Sequence, residues 1–179
     1  NVERVQKAMS SAIWSARITA GLRAIYHKDG SAITLLYAGQ HDEAYDWAAR
    51  RRLEHHPVTG TLQIVETTQE AERRLGEAAT PSQSPALFDS HHDDYLLSLG
   101  LPKPWLAVIR KVKTDDDFFS IIESLPEEVG ERLLRLAGGE LVAPPTPVPP
   151  DQPLSANPDN LRRFWVVQDA DDLRAILER

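Results

Sequence analysis

The first third of the chain contains short apolar runs bounded by turn residues, a pattern typical of β-strands. Residues 13–19 alternate between apolar and polar side chains, which predicts a strand with one buried face. Residues 22–28 and 31–38 predict two further strands, and the Asp29-Gly30 dipeptide between them favours a tight hairpin turn with positive φ. Because 31–38 is almost continuously apolar, we expect this strand to be central and covered in a small antiparallel sheet.

Helical patterns flank these strands. Apolar residues recur at near-helical intervals in 1–13, which predicts an N-terminal helix, and 42–52 predicts a second helix after the hairpin. Residues 61–66 predict one more strand. The T-x-x-E sequence at 67–70 matches a capping box, so a helix is expected over 68–77.

The later sequence predicts helices joined by proline-rich connections. Residues 79–86 have the composition of a linker, and only helices are predicted from Leu87 to Gly139. The proline-rich stretch 143–153 predicts a stiff polyproline-type spacer, and 163–167 predicts a strand followed by a turn and a helix. We therefore expect an α+β fold with an α+β domain at 1–78, an acidic helical module at 87–140, a Pro-rich linker at 141–160 and a strand-helix segment at 161–179.

Composition places the chain among ordinary globular proteins and excludes some kinds of site. Of its 179 residues, 41% are hydrophobic and 26% are charged. The absence of cysteine excludes disulfides and thiolate metal sites and fits a cytoplasmic protein. No run approaches the roughly 20 apolar residues that a membrane helix needs. The first residue is not methionine and "DDLRAILER" predicts an unfinished helix, so we expect a fragment of a longer protein.

Charge is distributed unevenly along the chain. Residues 1–60 hold 8 Lys and Arg against 6 Asp and Glu, a net charge of +2. Residues 61–179 hold 12 against 21, a net charge of -9. A surface that binds anions is therefore expected in the first third.

His41 and Tyr45 are the candidates for catalysis. His41 could provide acid/base chemistry or contact a phosphate, because its ring titrates near neutral pH. Alternatively, His41 or the adjacent Asp42 caps the helix at 42–52. Tyr45, one turn later, could pack its ring on the sheet while its hydroxyl reaches a polar partner. Walker, dinucleotide, G-x-S-x-G, H-E-x-x-H and EF-hand motifs are all absent from the sequence.

Basic residues form two candidate nucleic-acid contacts. Arg17, Arg23 and Lys28 lie on or beside predicted strands, where they would form a basic platform if their side chains share one sheet face. Otherwise they belong to a solvated face. The run Arg50, Arg51 and Arg52 is expected in the last turn of the helix, where cations interact with the helix dipole or bind phosphate. The pairs His55-His56 and His91-His92 do not predict a metal site, because adjacent side chains rarely share one ion.

The order strand, "GLRAIY", turn, "ITLLYAGQHDEAYDWAARR" resembles the RelE/ParE toxin superfamily over about residues 1–66. That resemblance implies helices packed on a small antiparallel sheet. RelE-type toxins cut mRNA with basic sheet residues and a C-terminal Tyr or His. Here Arg17, Arg23 and Lys28 would match the basic residues. The segment after "TLQIVE" is "TTQEAERRLG", which offers no obvious catalytic Tyr.

The form "HDEAYDWA" followed by "HPVTGTLQ" resembles the N-terminal extension of certain bacterial UvrD/Rep-like superfamily I helicases. The stretch from "YLLSLGLPKPW" to "LRLAGGE" is similar to the helical insert of that group. "NLRRFWVVQDADDLRAILE" is similar to the segment before the helicase motor. The resemblance implies an ATP-dependent DNA helicase, with ATP and Mg belonging to a motor outside this chain and no cofactor in the chain itself.

Three functions remain open from the sequence. The first is a non-catalytic accessory region that binds nucleic acid, DNA rather than RNA, or a protein partner, or that holds the motor in check. The second is a RelE-type mRNA endoribonuclease that uses Arg17 and Arg23 for charge stabilisation and His41 or Tyr45 for proton transfer. The third is a protein-binding relic of the toxin fold. None of the three predicts membrane association.

Overall fold

The computed structural model describes residues 2–5, 12–29, 32–78, 85–149 and 151–165. Within these ranges the strands are β1 (Val2–Arg4), β2 (Ile13–Arg17), β3 (Leu22–Asp29), β4 (Ala32–Gln40), β5 (Arg51–His55) and β6 (Leu62–Glu66). The α-helices are α1 (His41–Ala49), α2 (Gln69–Ala78), α3 (Asp93–Ser98), α4 (Leu106–Ile109), α5 (Asp115–Ile121), α6 (Glu127–Ala137) and α7 (Pro158–Arg163). Short 3-10 turns occupy Lys103–Trp105, Ile122–Ser124 and Leu154–Ala156.

The first four strands form one antiparallel sheet in sequential order, and β5 pairs with β6 in a separate two-stranded sheet. This arrangement confirms the α+β fold with a small antiparallel sheet followed by helices. The β3–β4 register shifts because Ile25 pairs with Tyr37 whereas Tyr26 pairs with Leu35, which leaves Leu36 as an extra residue on β4. The predicted turn at Gly30 lies outside the described residues.

Two predictions about this sheet are wrong. The helix predicted over 1–13 is a strand at Val2–Arg4, which pairs with Trp14–Ala16 of β2. An apolar pattern this short fits both the helical and the strand periodicity, and pairing with β2 favours the strand. The strand predicted to be central, β4, instead lies at the edge of the sheet. The apolar residues of β4 are divided between two faces of the sheet. Leu36 and Tyr37 pack on the side of α1, whereas Ile33 and Leu35 are exposed on the other side.

The helix predicted over 42–52 ends early. α1 stops at Ala49, and the next residues form β5, which pairs Arg51 with Glu66 and Arg52 with Val65. The backbone N–H of Thr67 donates to the Arg50 carbonyl at 2.9 Å, which extends the ladder. Strand pairing with a segment more than ten residues away therefore outweighs the local helical pattern.

The region from 87 to 139 is helical as predicted, and it surrounds the largest apolar core. Its fully buried members include Phe88, Trp105, Phe118 and Leu133. This core also takes Val65, Ala71 and Leu75, which belong to β6 and α2. Val65 and α2 thus pack with the helices, whereas Leu53 and Leu62 of the hairpin form a smaller core with Phe164, and Leu36 of β4 packs against it. The core of the four-stranded sheet consists of Val5, Ile13, Ile25, Ala44 and Ala48.

Buried polar contacts fasten the hairpin to the helices. The His56 ring accepts from the backbone N–H groups of Val58 and Thr59 at Nδ1 and lies 2.9 Å from the Leu101 carbonyl through Nε2. The Trp105 indole N–H donates to the Glu66 carbonyl at 3.0 Å. These partners satisfy polar groups that burial would otherwise leave unpaired.

The proline-rich segment is extended but packed. Its Val148 N–H donates to the Thr59 carbonyl at 3.0 Å, and the Val142 carbonyl accepts from the Tyr95 hydroxyl at 2.6 Å. The strand predicted over 163–167 is wrong at Arg163, which ends α7.

α7 begins where sequence signals place a helix start. Asn157 accepts from the Asp159 N–H as the N-cap, and Pro158 occupies the first turn. Asp159 then forms an ion pair with Arg132 of α6, whose Nη2 donates to both carboxylate oxygens at 2.8 Å. Arg163 contacts the buried Glu128. The turn and helix predicted after 165 lie outside the described residues.

Candidate nucleic-acid interface

The register of the four-stranded sheet brings Arg17 and Arg23 side by side. Directly paired residues on antiparallel strands point to the same face. On the face that packs against α1, successive rows across the sheet are Glu3, Ser15, Ile25 and Tyr37, and then Arg17, Arg23 and Gly39. Gly39 has no side chain, and the Tyr37 ring fills the space where one would lie, so the second row consists of two guanidinium groups.

The Arg17–Arg23 pair lacks a negatively charged partner among the described residues. Like charges directly opposite on neighbouring strands destabilise a sheet. Nε and Nη1 of Arg23 are buried and have no hydrogen-bond partner among the described residues. Nε of the exposed Arg17 donates to the Thr19 carbonyl at 3.0 Å. Among the described residues, the terminal nitrogens of Arg17 have no hydrogen-bond acceptor. An oxyanion would neutralise charge on both guanidinium groups and accept hydrogen bonds from their unpaired N–H groups.

The N-terminus of α1 lies at the same end of the sheet. Gln40, which precedes the helix, pairs with Leu22 beside Arg23, and the His41 N–H donates to the Gly21 carbonyl at 2.9 Å. No side chain caps this helix, so its first N–H groups add partial positive charge. The exposed Asp42 partly offsets that charge, and it sits 2.9 Å from Nδ1 of His41.

Tyr45 is fixed by contacts within the sheet. Its hydroxyl donates to the Glu3 carboxylate of β1 and lies 3.3 Å from the Ser15 hydroxyl of β2. The His41 ring lies beside it, with ring centroids 4.9 Å apart. The hydroxyl of Tyr45 therefore ties α1 to two strands. Of the two catalytic candidates, His41 is the more exposed.

The arginines at 50–52 do not form a shared patch. Arg51 pairs with Glu66 at 2.8 Å and its guanidinium lies 5.2 Å from the centre of the Trp47 ring. Arg52 pairs with Glu54 at 2.7 Å. Arg50 is exposed and donates to the Asp46 carbonyl of its own helix. The expected position in the last turn of a helix is wrong for Arg51 and Arg52, and both already have carboxylate partners.

Lys28 lies away from the arginine pair. Alternation along β3 directs it to the opposite face, and it pairs with Ile33 at the far end of the strand. A platform that joins Lys28 to Arg17 and Arg23 is therefore not formed. The arginine pair and the α1 N-terminus are the basic groups that the fold brings together.

The opposite face of the sheet is open and apolar. Arg4, Trp14, Tyr26 and Leu35 form one row across all four strands. Val2, Ile33 and Leu35 expose 59%, 67% and 62% of their surface, unlike apolar residues in a covered sheet. Exposed apolar side chains on one sheet face make that face a candidate interaction surface.

Sequence reasoning missed Glu3 and Ser15 as members of the α1-side network. Ser15 alternates with Ile13, so the strand pattern could have placed it on the buried face. Glu3 was missed because the helix predicted over 1–13 did not place it on a strand beside Ser15. The open face was missed because the apolar run of β4 predicted a covered strand.

The described part of the chain offers no group of three or more His, Asp or Glu residues arranged to hold a metal ion. None of the described helices is long and apolar enough to cross a membrane. Comparison of the chain with protein-family models, with curated proteins and with solved structures gives no match.

Proposed function

We propose that this chain is a non-catalytic accessory region of a UvrD-like ATP-dependent DNA helicase and that it binds a nucleic-acid backbone through Arg17 and Arg23. The observation that supports this proposal is the direct cross-strand pairing of the two arginines, with two buried nitrogen atoms of Arg23 that have no acceptor among the described residues. A phosphate supplies both the charge and the acceptor oxygens that this pair lacks. We expect the ligand to be DNA and the protein to act in the cytoplasm. ATP and Mg²⁺ would bind a motor outside this chain.

Binding to labelled single-stranded DNA, forked DNA and RNA across a salt series tests this function. The expected signal weakens steeply with salt, because phosphate contacts release counterions. Arg23→Gln and Arg17→Gln should each weaken binding and lower the salt slope by about one unit or less. Arg50→Gln is the matched control, since Arg50 is exposed and outside the pair. Undiminished binding by both pair variants, or no binding at low salt, would contradict the assignment.

A protein-binding function is the second candidate, and the open sheet face favours it. Arg4 and Lys28 flank this apolar surface, so the occupant that we infer is an apolar peptide segment with acidic flanks from a protein partner. A synthetic peptide of that composition should bind the chain, and Leu35→Asp should abolish binding whereas Arg23→Gln should not. Equal binding by the Leu35 variant would exclude this surface.

A further inference from the structure

A second candidate surface lies on the helical module, remote in sequence from the arginine pair. A groove of about 340 Å³ runs between the 3-10 turn Ile122–Ser124 and α6. Ile122, Leu125 and Leu134 provide its apolar walls, and Leu134 is 42% exposed although it lies on an otherwise well-packed helix. Leu134 lies outside the core, whereas Leu125 belongs to it and Ile122 packs against it, so the groove borders the core of the module.

Gly130 gives the groove its shape. A Cβ atom at this position would lie 3.0 Å from Cγ1 of Ile122, closer than ordinary van der Waals contact. The missing side chain lets α6 approach the turn, and Leu134 stays accessible beside it. The groove thus lies where α6 and the 3-10 turn pack closely at Gly130.

The rim of the groove is acidic. Glu123, Glu127 and Glu131 surround the apolar walls. Arg162 of α7 bonds to Glu127 at 3.1 Å and to Glu131 at 2.8 Å, and its guanidinium lowers the pKa of Glu131, which keeps that carboxylate ionised. Glu123 is exposed and forms no ion pair among the described residues. Arg162 thus pairs with two of the three rim carboxylates, and Glu123 leaves negative charge at the rim.

The surrounding module has the same sign of charge. Residues 85–140 contain 6 Lys and Arg against 11 Asp and Glu. Such a field repels acidic ligands and favours association with basic ones. A nucleic-acid backbone is therefore disfavoured on this side of the chain, and the groove differs in ligand class from the Arg17–Arg23 pair.

We propose that this groove binds an amphipathic helix of a protein partner, with apolar side chains in the groove and Lys or Arg side chains on the acidic rim. Apolar residues at intervals of three and four along a helix present the continuous ridge that such a groove accepts. Basic residues beside that ridge would meet Glu123 and the partly neutralised Glu127. The surface is independent of the nucleic-acid proposal, and each can fail without the other.

The test uses the 179-residue chain and synthetic peptides of about 16 residues, long enough for a short helix on binding. One peptide carries leucines at helical intervals with lysines elsewhere. A second replaces lysine by glutamate. A third has the lysine peptide's composition with its leucines scattered around the helix. Anisotropy gives the affinities, and ¹⁵N chemical-shift changes locate the site.

We expect the amphipathic lysine peptide to bind with shift changes at Ile122, Leu125 and Gly130. Leu134→Asp should weaken binding about tenfold or more by removing an apolar anchor, and Glu123→Lys should weaken it and reduce its salt dependence. Leu161→Asp and Asp116→Lys are matched controls, since both positions are exposed and neither lines the groove. Circular dichroism confirms that the variants fold.

Four results of the peptide experiment would overturn the proposal. They are binding of the glutamate peptide with equal affinity, equal binding of the scattered peptide, unchanged affinity in both groove variants, and no binding by any peptide. Self-association that Leu134→Asp abolishes would also overturn it by identifying a second copy of the chain as the occupant.

Discussion

The carbonyl oxygen of Val148 occupies the space where a side chain on Gly60 would lie. A Cβ atom at Gly60 would be 1.6 Å from that oxygen, and Gly60 has a φ of +72°, in the left-handed region that favours glycine. The neighbouring Thr59 carbonyl accepts from the Val148 N–H at 3.0 Å. Gly60 therefore allows the proline-rich segment to pack directly on the β5–β6 hairpin.

Gly60→Ala should destabilise the chain strongly. The left-handed conformation alone costs a residue with a Cβ about 1–2 kcal/mol, and displacing the Val148 backbone adds a further 1–3 kcal/mol, about 2–5 kcal/mol in total. Urea unfolding measures the change. Gly76→Ala is the control, because a Cβ there meets nothing within 4 Å and the residue is helical, so stability should stay equal or rise by about 0.5–1 kcal/mol. Equal losses in both variants would contradict the packing argument.

The basic run at 50–52 provides a second prediction, since neighbouring arginines have different roles. Arg51→Ala should lower the free energy of unfolding by about 1–2 kcal/mol, because it removes a half-buried ion pair with Glu66 and the contact with Trp47. Arg50→Ala should change stability by less than about 0.5 kcal/mol, since Arg50 is exposed. Neither variant should alter nucleic-acid affinity as much as Arg23→Gln. A large loss of binding with unchanged stability in Arg51→Ala would instead make it a ligand contact.

Local signals explain which parts of the fold the sequence predicted. The β3–β4 hairpin depends on residues within twenty positions of one another, and α5 begins at the capping box of Thr114 and Asp117. By contrast, Arg51 and Arg52 become strand residues only because β6 lies opposite them. The same holds for β1, whose pairing with β2 overrides a short helical pattern.

The candidate site was predictable in residue type but not in geometry. Arg17 and Arg23 were identified as basic strand residues, yet their direct pairing depends on the register of two strands. Lys28 differs from Arg23 by five positions, an odd number, and alternation therefore sends it to the other face. The Leu36 bulge shifts the β4 register by one residue, which no local pattern indicates.

Acid titration of α2 gives a third prediction. Arg73 donates to Glu70 at 2.6 Å and Arg74 does so at 3.2 Å, and these hydrogen bonds lower the pKa of Glu70 from its ordinary value of 4.5 to about 2. Because the folded pKa is depressed, the stabilising contribution of the carboxylate is present above pH 4.5 and is lost as pH falls towards 2. The effect is small at this exposed site and is screened by salt.

Urea midpoints for wild type and Glu70→Gln measure this contribution. The wild type should be the more stable protein at pH 6, and the difference should shrink between pH 4.5 and pH 2. Molar salt should reduce the difference at pH 6. A difference that persists unchanged at pH 2 would show that Glu70 acts through packing rather than charge.

The last prediction separates a structural from a catalytic role for Tyr45. Its hydroxyl donates to Glu3 and contacts Ser15, so Tyr45→Phe should lower the free energy of unfolding by about 1 kcal/mol and leave Glu3 without this donor. Tyr26→Phe on the open face is the control, because its hydroxyl forms no hydrogen bond among the described residues, and it should have almost no effect. Under the accessory-region proposal, the wild type and both variants leave RNA intact at high protein excess, with and without ribosomes. RNA cleavage by the wild type that Tyr45→Phe, His41→Ala or Arg23→Ala abolishes, without a matching loss of stability, would establish the endoribonuclease alternative instead.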